Sequence, residues 1–254
     1  MNFNEIIIPF LLTILAGLST VVGSLIFLSS TFRKRRFISF FLGLSAGVMI
    51  YLSFIELLPY AIKEIGFSSA NLFFFIGIIV MALIDFILPH HYLEEKICPR
   101  QNIIDPKLLS TGLVVTLGLI IHNFPEGMAV FLSSFTNIRF GILLAIAIAI
   151  HNIPEGIAVA APIYHATQSK SKAIKYAFIS GMAEPLGAVI AYLLLKPYLD
   201  QNILSYIFAL VAGVMVYISF DELLPACFRE GHGHRAILGI VSGMIIVSIS
   251  LLFL

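Results

Sequence analysis

Eight long runs of apolar residues restrict the fold of this 254-residue chain more than any other feature. A helix that crosses a bilayer needs about 20 apolar residues, whereas a strand of a membrane barrel needs about 10 of alternating polarity. All the runs fit the helix and are too uniformly apolar for the strand. They cover residues 5–29, 37–62, 69–89, 108–135, 139–165, 172–196, 202–228 and 234–254. The sequence therefore predicts an all-α integral membrane protein with eight transmembrane helices in one domain, residues 1–254.

Composition supports the same class of protein. Only 11% of the residues are charged, against about 25% in a soluble domain, so most of the surface must face lipid. The net charge of +1 argues against a nucleic-acid partner, and the two cysteines fit neither a disulfide framework nor a zinc motif. The opening MNFNEIIIPF lacks a positive segment and a cleavage site, which predicts a first span rather than a removed signal.

The basic residues predict the orientation, because cytoplasmic loops are enriched in Lys and Arg. Three of the 15 basic residues, Lys63, Arg139 and Lys196, fall on one side of the predicted spans. The other twelve fall on the opposite side, which includes the RKRR loop at residues 33–36. This asymmetry predicts that the RKRR loop is cytoplasmic and that both termini lie outside.

Spans 2 and 7 contain a repeat. Residues 46–59 read AGVMIYLSFIELLP and residues 212–225 read AGVMVYISFDELLP, with eleven of fourteen positions identical. The second copy lies five spans after the first along the chain, with four spans between them, so it crosses the membrane in the opposite direction. The chain is therefore predicted to be a 3+2+3 inverted repeat, with copies at 5–89 and 172–254 around central helices at 108–165. Such repeats are typical of secondary transporters, which bind their substrate near the midplane, although a duplication kept only for packing remains the alternative.

A second repeat places polar residues in the middle of spans 4 and 5. HNFPEG begins at His122 and HNIPEG at His151. In a helix the histidine and glutamate of each motif, four residues apart, lie on one face. The prolines remove the backbone N–H at positions 125 and 154, which predicts helices that are kinked and broken at the motif. Two facing copies would pool six polar side chains: His122, Asn123, Glu126, His151, Asn152 and Glu155.

Glu184 in span 6 adds a third carboxylate at the same depth. An ionised side chain at mid-membrane costs about 2.5–3.5 kcal/mol even on insertion scales, and three neighbouring carboxylates also repel each other. A bound divalent cation would offset both costs. The motifs therefore predict a metal site, with a purely structural polar cluster as the alternative.

Several other residues are candidates for a pathway through the membrane. Glu56 lies on the outer half of span 2, and its repeat mate Glu222, with Asp221 beside it, lies toward the cytoplasm. These acids are predicted to pass metal into and out of the site, although an acid that simply reaches water would look the same. Met49 and Met215 fall near the midplane, where a thioether can contact a soft metal or merely pack.

With these motifs the chain resembles the ZIP (Zrt-, Irt-like) family of divalent-metal transporters, and within it the bacterial ZupT branch. The resemblance implies one metal held by His122, Glu126, His151 and Glu155. It implies a second held by Asn123, Asn152 and Glu184, with Glu126 and Glu155 bridging. It further implies import, a homodimer, a bacterial inner membrane, and an elevator movement of spans 1, 4, 5 and 6 against the other four.

The donor types bound the ion and leave two other functions open. Imidazole and carboxylate suit Zn²⁺, and also Fe²⁺, Mn²⁺, Co²⁺ and Cd²⁺. An intramembrane zinc-dependent hydrolase also buries His and Glu in helices, but it would not explain the inverted repeat. A channel is the third possibility. The sequence favours a transporter that is not an enzyme.

Overall fold

The computed structural model describes residues 3–29, 33, 37–87, 103–195, 201–229 and 232–252. Within this part of the chain, eight helices are long and apolar enough to cross a membrane, which confirms the predicted number of spans and the all-α class. Their bounds are α1 Phe3–Ser29, α2 Ile38–Ile65, α3 Phe67–Ile87, α4 Pro106–Thr136, α5 Ile138–Thr167, α6 Lys170–Leu193, α7 Asn202–Arg229 and α8 Gly233–Leu251. The predicted loop cations Lys34, Arg35, Arg36, Lys96, Arg100 and Lys196 lie outside the described residues.

Two tight connections force the helices that they join to run antiparallel. Gly66 joins α2 to α3 with a φ of 78°, a conformation that favours glycine. Asn137 alone separates α4 from α5, and its side chain caps α5 by accepting hydrogen bonds from the N–H groups of Arg139 and Phe140 at 3.1 and 3.3 Å. The two motif-bearing helices are therefore the arms of one hairpin.

The helices continue through the motif prolines. Pro125 lies inside an unbroken α4 and Pro154 inside an unbroken α5. The predicted break is therefore wrong. Each proline removes one backbone hydrogen bond from a helix of 30 or 31 residues, and packing against neighbouring helices preserves the rest.

Departures from the α-helix occur instead at Ala191–Leu195, near the end of α6, and in the repeated segments of α2 and α7. Ser53–Leu57 and Ser219–Leu223 form π turns, and the N–H groups of Leu58 and Leu224 bond the carbonyls of Ser53 and Ser219. A proline lies two residues beyond the end of each turn, and a π turn is one way to accommodate its missing N–H. The equivalent turns support the predicted relation between spans 2 and 7.

Glycines divide the helices into two groups, which we call the central group (α1, α4, α5, α6) and the flanking group (α2, α3, α7, α8). In the central group Gly17 and Gly181 contact each other's backbone carbonyl, and in the flanking group Gly47 contacts the carbonyl of Ile240 and Gly213 that of Phe74. A side chain at any of these positions would overlap backbone, so helices within a group are held at close range. Between the groups, α2 packs on α5 and α7 packs on α4.

Candidate metal centre

The α4–α5 hairpin brings the two HN-PEG motifs face to face. His122 Nε2 lies 3.2 Å from Glu155 Oε1, and His151 Nε2 lies 3.2 Å from Glu126 Oε1. Within α4, His122 Nε2 also lies 3.5 Å from Glu126 Oε2, as the spacing of four residues predicts. Each histidine therefore approaches the glutamate of the other helix, which is the arrangement that the paired motifs predicted.

The two asparagines anchor this hairpin to its neighbours in the central group. Asn123 Nδ2 donates to the carbonyl of Ser180 in α6 at 3.2 Å, and Asn152 Nδ2 donates to the carbonyl of Ala16 in α1 at 3.0 Å. Asn152 Nδ2 also donates to Glu184 Oε1, which draws the third carboxylate to the hairpin. The amide nitrogens are thus fixed by the protein, and the amide oxygens are left for another partner.

All seven predicted residues are buried, with exposures of 0 to 2%. Among the described residues, five of their oxygens make no hydrogen bond: Asn123 Oδ1, Asn152 Oδ1, Glu184 Oε2 and both carboxylate oxygens of Glu155. Ligand atoms of His122, His151 and Glu155 lie within 4.8 Å of one another. Buried acceptors without donors are costly, and a divalent cation would satisfy them while offsetting the charge of the carboxylates. The arrangement is therefore suited to binding a cation.

A cavity of about 230 Å³ connects this cluster with Glu56. Its lining includes Glu126 from α4, Glu56 from the π turn of α2, and apolar residues of α5 and α7 such as Leu144 and Phe208. The predicted pathway residue Glu56 thus shares one space with a carboxylate of the centre. The cavity lies toward the end of the molecule where α4 joins α5.

The equivalent acids of α7 belong to a different cluster. Asp221 and Glu222 gather with Asp85 of α3, with one ligand oxygen from each within 4.8 Å of the others, and Tyr217 donates to Asp85 at 3.5 Å. Sequence reasoning did not join Asp85 to this group, because the contact between α3 and α7 is tertiary. The other two pathway candidates, Met49 and Met215, are fully buried, and their contact with metal stays a prediction.

Comparison with known proteins places the chain in a family. A match to the family described as "ZIP Zinc transporter" covers residues 96–251, which is more than half of the chain. This chain belongs to the ZIP family. It is 48% identical to the zinc transporter ZupT of Streptococcus mutans over 96% of both chains. It is 46% identical to that of Oceanobacillus iheyensis over 99% of both, and 45% identical to that of Campylobacter jejuni over 98% of this chain and 97% of the relative.

Family membership excludes one of the functional classes that the sequence left open. ZIP proteins are transporters, so the alternative of an intramembrane hydrolase is excluded and the prediction that the chain is not an enzyme is confirmed. Eight apolar helices and this family together make the chain a multi-pass membrane protein. The resemblance noted from the motifs is confirmed at the level of the family.

Proposed function

We propose that this chain carries zinc, and other divalent transition metals of similar chemistry, across a membrane through the buried cluster between α4 and α5. The observation that carries the proposal is the reciprocal approach of His122 to Glu155 and of His151 to Glu126, each at 3.2 Å and with exposures of 2% or less. Two imidazoles and two carboxylates at this range are donors that Zn²⁺ accepts, and Fe²⁺, Mn²⁺, Co²⁺ and Cd²⁺ accept the same set.

A second ion position is proposed beside the first. Its donors are three of the oxygens that make no hydrogen bond among the described residues: Asn123 Oδ1, Asn152 Oδ1 and Glu184 Oε2. Glu126 and Glu155 have two carboxylate oxygens each, so they are suited to bridging the two positions. Amide and carboxylate oxygens form a harder site than imidazole, which favours a broader range of metals than zinc alone.

Access to this centre is proposed to alternate between the two sides of the membrane. The cavity at Glu56 leads to the centre from the side that the basic residues predict to be external, and the Asp85, Asp221 and Glu222 cluster lies at the opposite end of α7. Gly118 of α4 faces a side chain of α7, Ile218, rather than its backbone. Because this contact is made by a side chain, the two helices are not packed backbone against backbone. This favours an elevator movement of the central group against the flanking group.

The same comparisons and the distribution of basic residues support the proposed setting. The relatives named above are bacterial zinc transporters, so we propose import across a bacterial inner membrane with both termini outside. A homodimer is part of the same proposal, and crosslinking in native membrane tests it.

Flux into sealed vesicles tests the proposed function. Vesicles reconstituted with the chain and loaded with a zinc-sensitive dye are expected to show uptake that saturates with external zinc, and unlabelled Mn²⁺, Fe²⁺ or Cd²⁺ in excess should slow it. Protein-free vesicles of the same lipid measure the rate at which zinc leaks across the bilayer. Uptake no faster than the leak would overturn the proposal, and a rate that rises without saturation would favour a channel.

The cavity gives Glu56 a testable role at the entrance. Replacing it in Glu56→Gln is expected to lower the initial uptake rate at low zinc by about threefold to tenfold, the lower end of electrostatic steering effects, with a smaller difference at high salt. The maximal rate should change little, because the ligands of the centre remain. Glu64→Gln removes a carboxylate from the same helix outside the cavity lining and serves as the control. If the two variants took up zinc at equal initial rates, Glu56 would be an acid that contacts water and does not guide the ion.

A further inference from the structure

Thr20 of α1 and Glu184 of α6 occupy equivalent places in the two halves of the centre. Gly17 and Thr20 have the same spacing as Gly181 and Glu184. A methyl group at Gly17 would lie 3.5 Å from Glu184 Cβ, and a methyl group at Gly181 would lie 3.3 Å from Thr20 Cβ. The two side chains therefore leave their helices at equivalent positions where α1 crosses α6.

The backbone around the two positions is equivalent as well. The carbonyl of Glu184 lies against Gly127 of α4, and the carbonyl of Thr20 lies against Gly156 of α5. These glycines end the two HN-PEG motifs. The backbone of Thr20 therefore packs against the motif of α5 in the same way that the backbone of Glu184 packs against the motif of α4.

The hydroxyl of Thr20 is buried and has no hydrogen-bond partner among the described residues. Many buried hydroxyls in these helices donate to a carbonyl three or four residues earlier, as Thr13 does to Pro9 at 2.9 Å. For Thr20 the carbonyl four residues earlier belongs to Ala16, and it already accepts from Ser19 Oγ at 2.5 Å and from Asn152 Nδ2 at 3.0 Å. The helical N–H of Thr20 points at this carbonyl as well, so no lone pair is left for the Thr20 hydroxyl, which bonds none of the described residues.

Asn123 approaches the same turn of α6 from the other side. Its Nδ2 donates to the carbonyl of Ser180, which is adjacent to Gly181, and its Oδ1 has no partner among the described residues. Thr20 Cβ is the side-chain atom nearest to Gly181 in that crossing, 3.3 Å from the point that a methyl group at Gly181 would occupy. By this equivalence, Thr20 and Asn123 form the pair in one half of the arrangement that Glu184 and Asn152 form in the other.

We propose that Thr20 is a further ligand of the second metal position, where its hydroxyl supplies a neutral oxygen in the place that α6 fills with a carboxylate. This inference rests on the proposed function. A fourth carboxylate would hold a divalent ion more tightly and slow its release, whereas a hydroxyl stabilises the ion without adding charge. Thr20 thus limits the negative charge of the centre to three carboxylates and keeps the bound ion exchangeable.

Three substitutions at this position separate the role of the hydroxyl from that of packing. Thr20→Val keeps the shape and removes the oxygen, and it is expected to raise the KM for zinc uptake by about two- to tenfold, the factor that one neutral hydrogen bond supplies. Thr20→Ser keeps the oxygen and should restore the natural KM. Thr20→Asp should lower both KM and the maximal rate, because the ion binds more tightly and leaves more slowly.

Zinc binding to the detergent-solubilised chain, measured by equilibrium dialysis, provides a readout that does not depend on transport. Weaker binding by Thr20→Val, with natural binding by Thr20→Ser, is the expected result. Equal binding and equal KM for Thr20→Val and the natural chain would overturn the inference. A loss of thermal stability in Thr20→Val with KM unchanged would assign the residue to packing and also overturn it. A natural chain that binds zinc at this position but shows no flux would contradict the proposed function alone.

Discussion

Vesicles that contain the Glu126→Gln or the Glu155→Gln chain are expected to take up zinc at least about 100-fold more slowly than vesicles with the natural chain. Removing a residue that only orients a metal ligand costs about 10–100-fold in affinity or activity, and losing a bridging ligand should cost more. Glutamine keeps the shape of glutamate and removes one negative charge, so the variants test charge and ligation rather than packing. Dye-detected uptake over a range of zinc concentrations measures the effect.

Both substitutions should have effects of similar size, because each glutamate faces the histidine of the opposite helix. Glu64→Gln, a carboxylate in α2 outside the centre, should transport at the natural rate. A large loss for only one of the two variants would mean that a single helix holds the ion and that the hairpin does not share it. Thermal stability in detergent should be kept in both, since glutamine has the same shape and keeps an oxygen that can accept from the facing histidine.

The number of helices and the close approach of the HN-PEG side chains were predictable from the sequence because local rules determine both. Bilayer thickness fixes the length of an apolar run, so eight runs became eight helices. The spacing of four residues places each histidine above its glutamate, and the short connection at Asn137 leaves an antiparallel hairpin as the geometry. These rules need no knowledge of distant contacts.

The features that were missed depend on contacts between helices far apart in the chain. Asp85 joins Asp221 and Glu222 only because α3 packs on α7. Thr20 has no signal of its own in an apolar span, and its position becomes meaningful when the glycine spacing of α1 is aligned with that of α6. The break expected at the motif prolines was wrong because a proline weakens a long, well-packed helix without unwinding it.

The π turns were not predicted, although the sequence contains a signal for them. Both repeated segments place a proline six residues after the serine that begins each turn. A proline at the same position in both copies of a repeat indicates that both helices need the same departure from α-helical geometry there. One turn carries Glu56 into the cavity, and the other carries Glu222 to the opposite cluster, so the same local irregularity positions an acid at each end.

A single methyl group at Gly156 is expected to abolish transport and to lower stability. In Gly156→Ala the new Cβ would overlap the carbonyl oxygen of Thr20, and backbone cannot move aside as the end of a flexible side chain can. Overpacking of this kind costs about 1–3 kcal/mol, and α1 must separate from α5. Because Glu155 precedes Gly156 directly, the same shift displaces a metal ligand, and a misplacement of about 1 Å can cost about 100-fold in rate. Thermal unfolding in detergent and zinc uptake measure the two effects.

Gly233→Ala provides the matched control, because the nearest atom to its added methyl would be Phe228 Cδ1 at 3.9 Å, an ordinary van der Waals distance. That variant should have the same thermal stability and the same rate of zinc uptake as the natural chain. Gly127→Ala should behave like Gly156→Ala, since its methyl would meet the carbonyl of Glu184 in the equivalent position. If Gly156→Ala retained natural stability and uptake, α1 and α5 would have room to separate without moving Glu155. The close contact between the helices would then not be what positions the metal ligands.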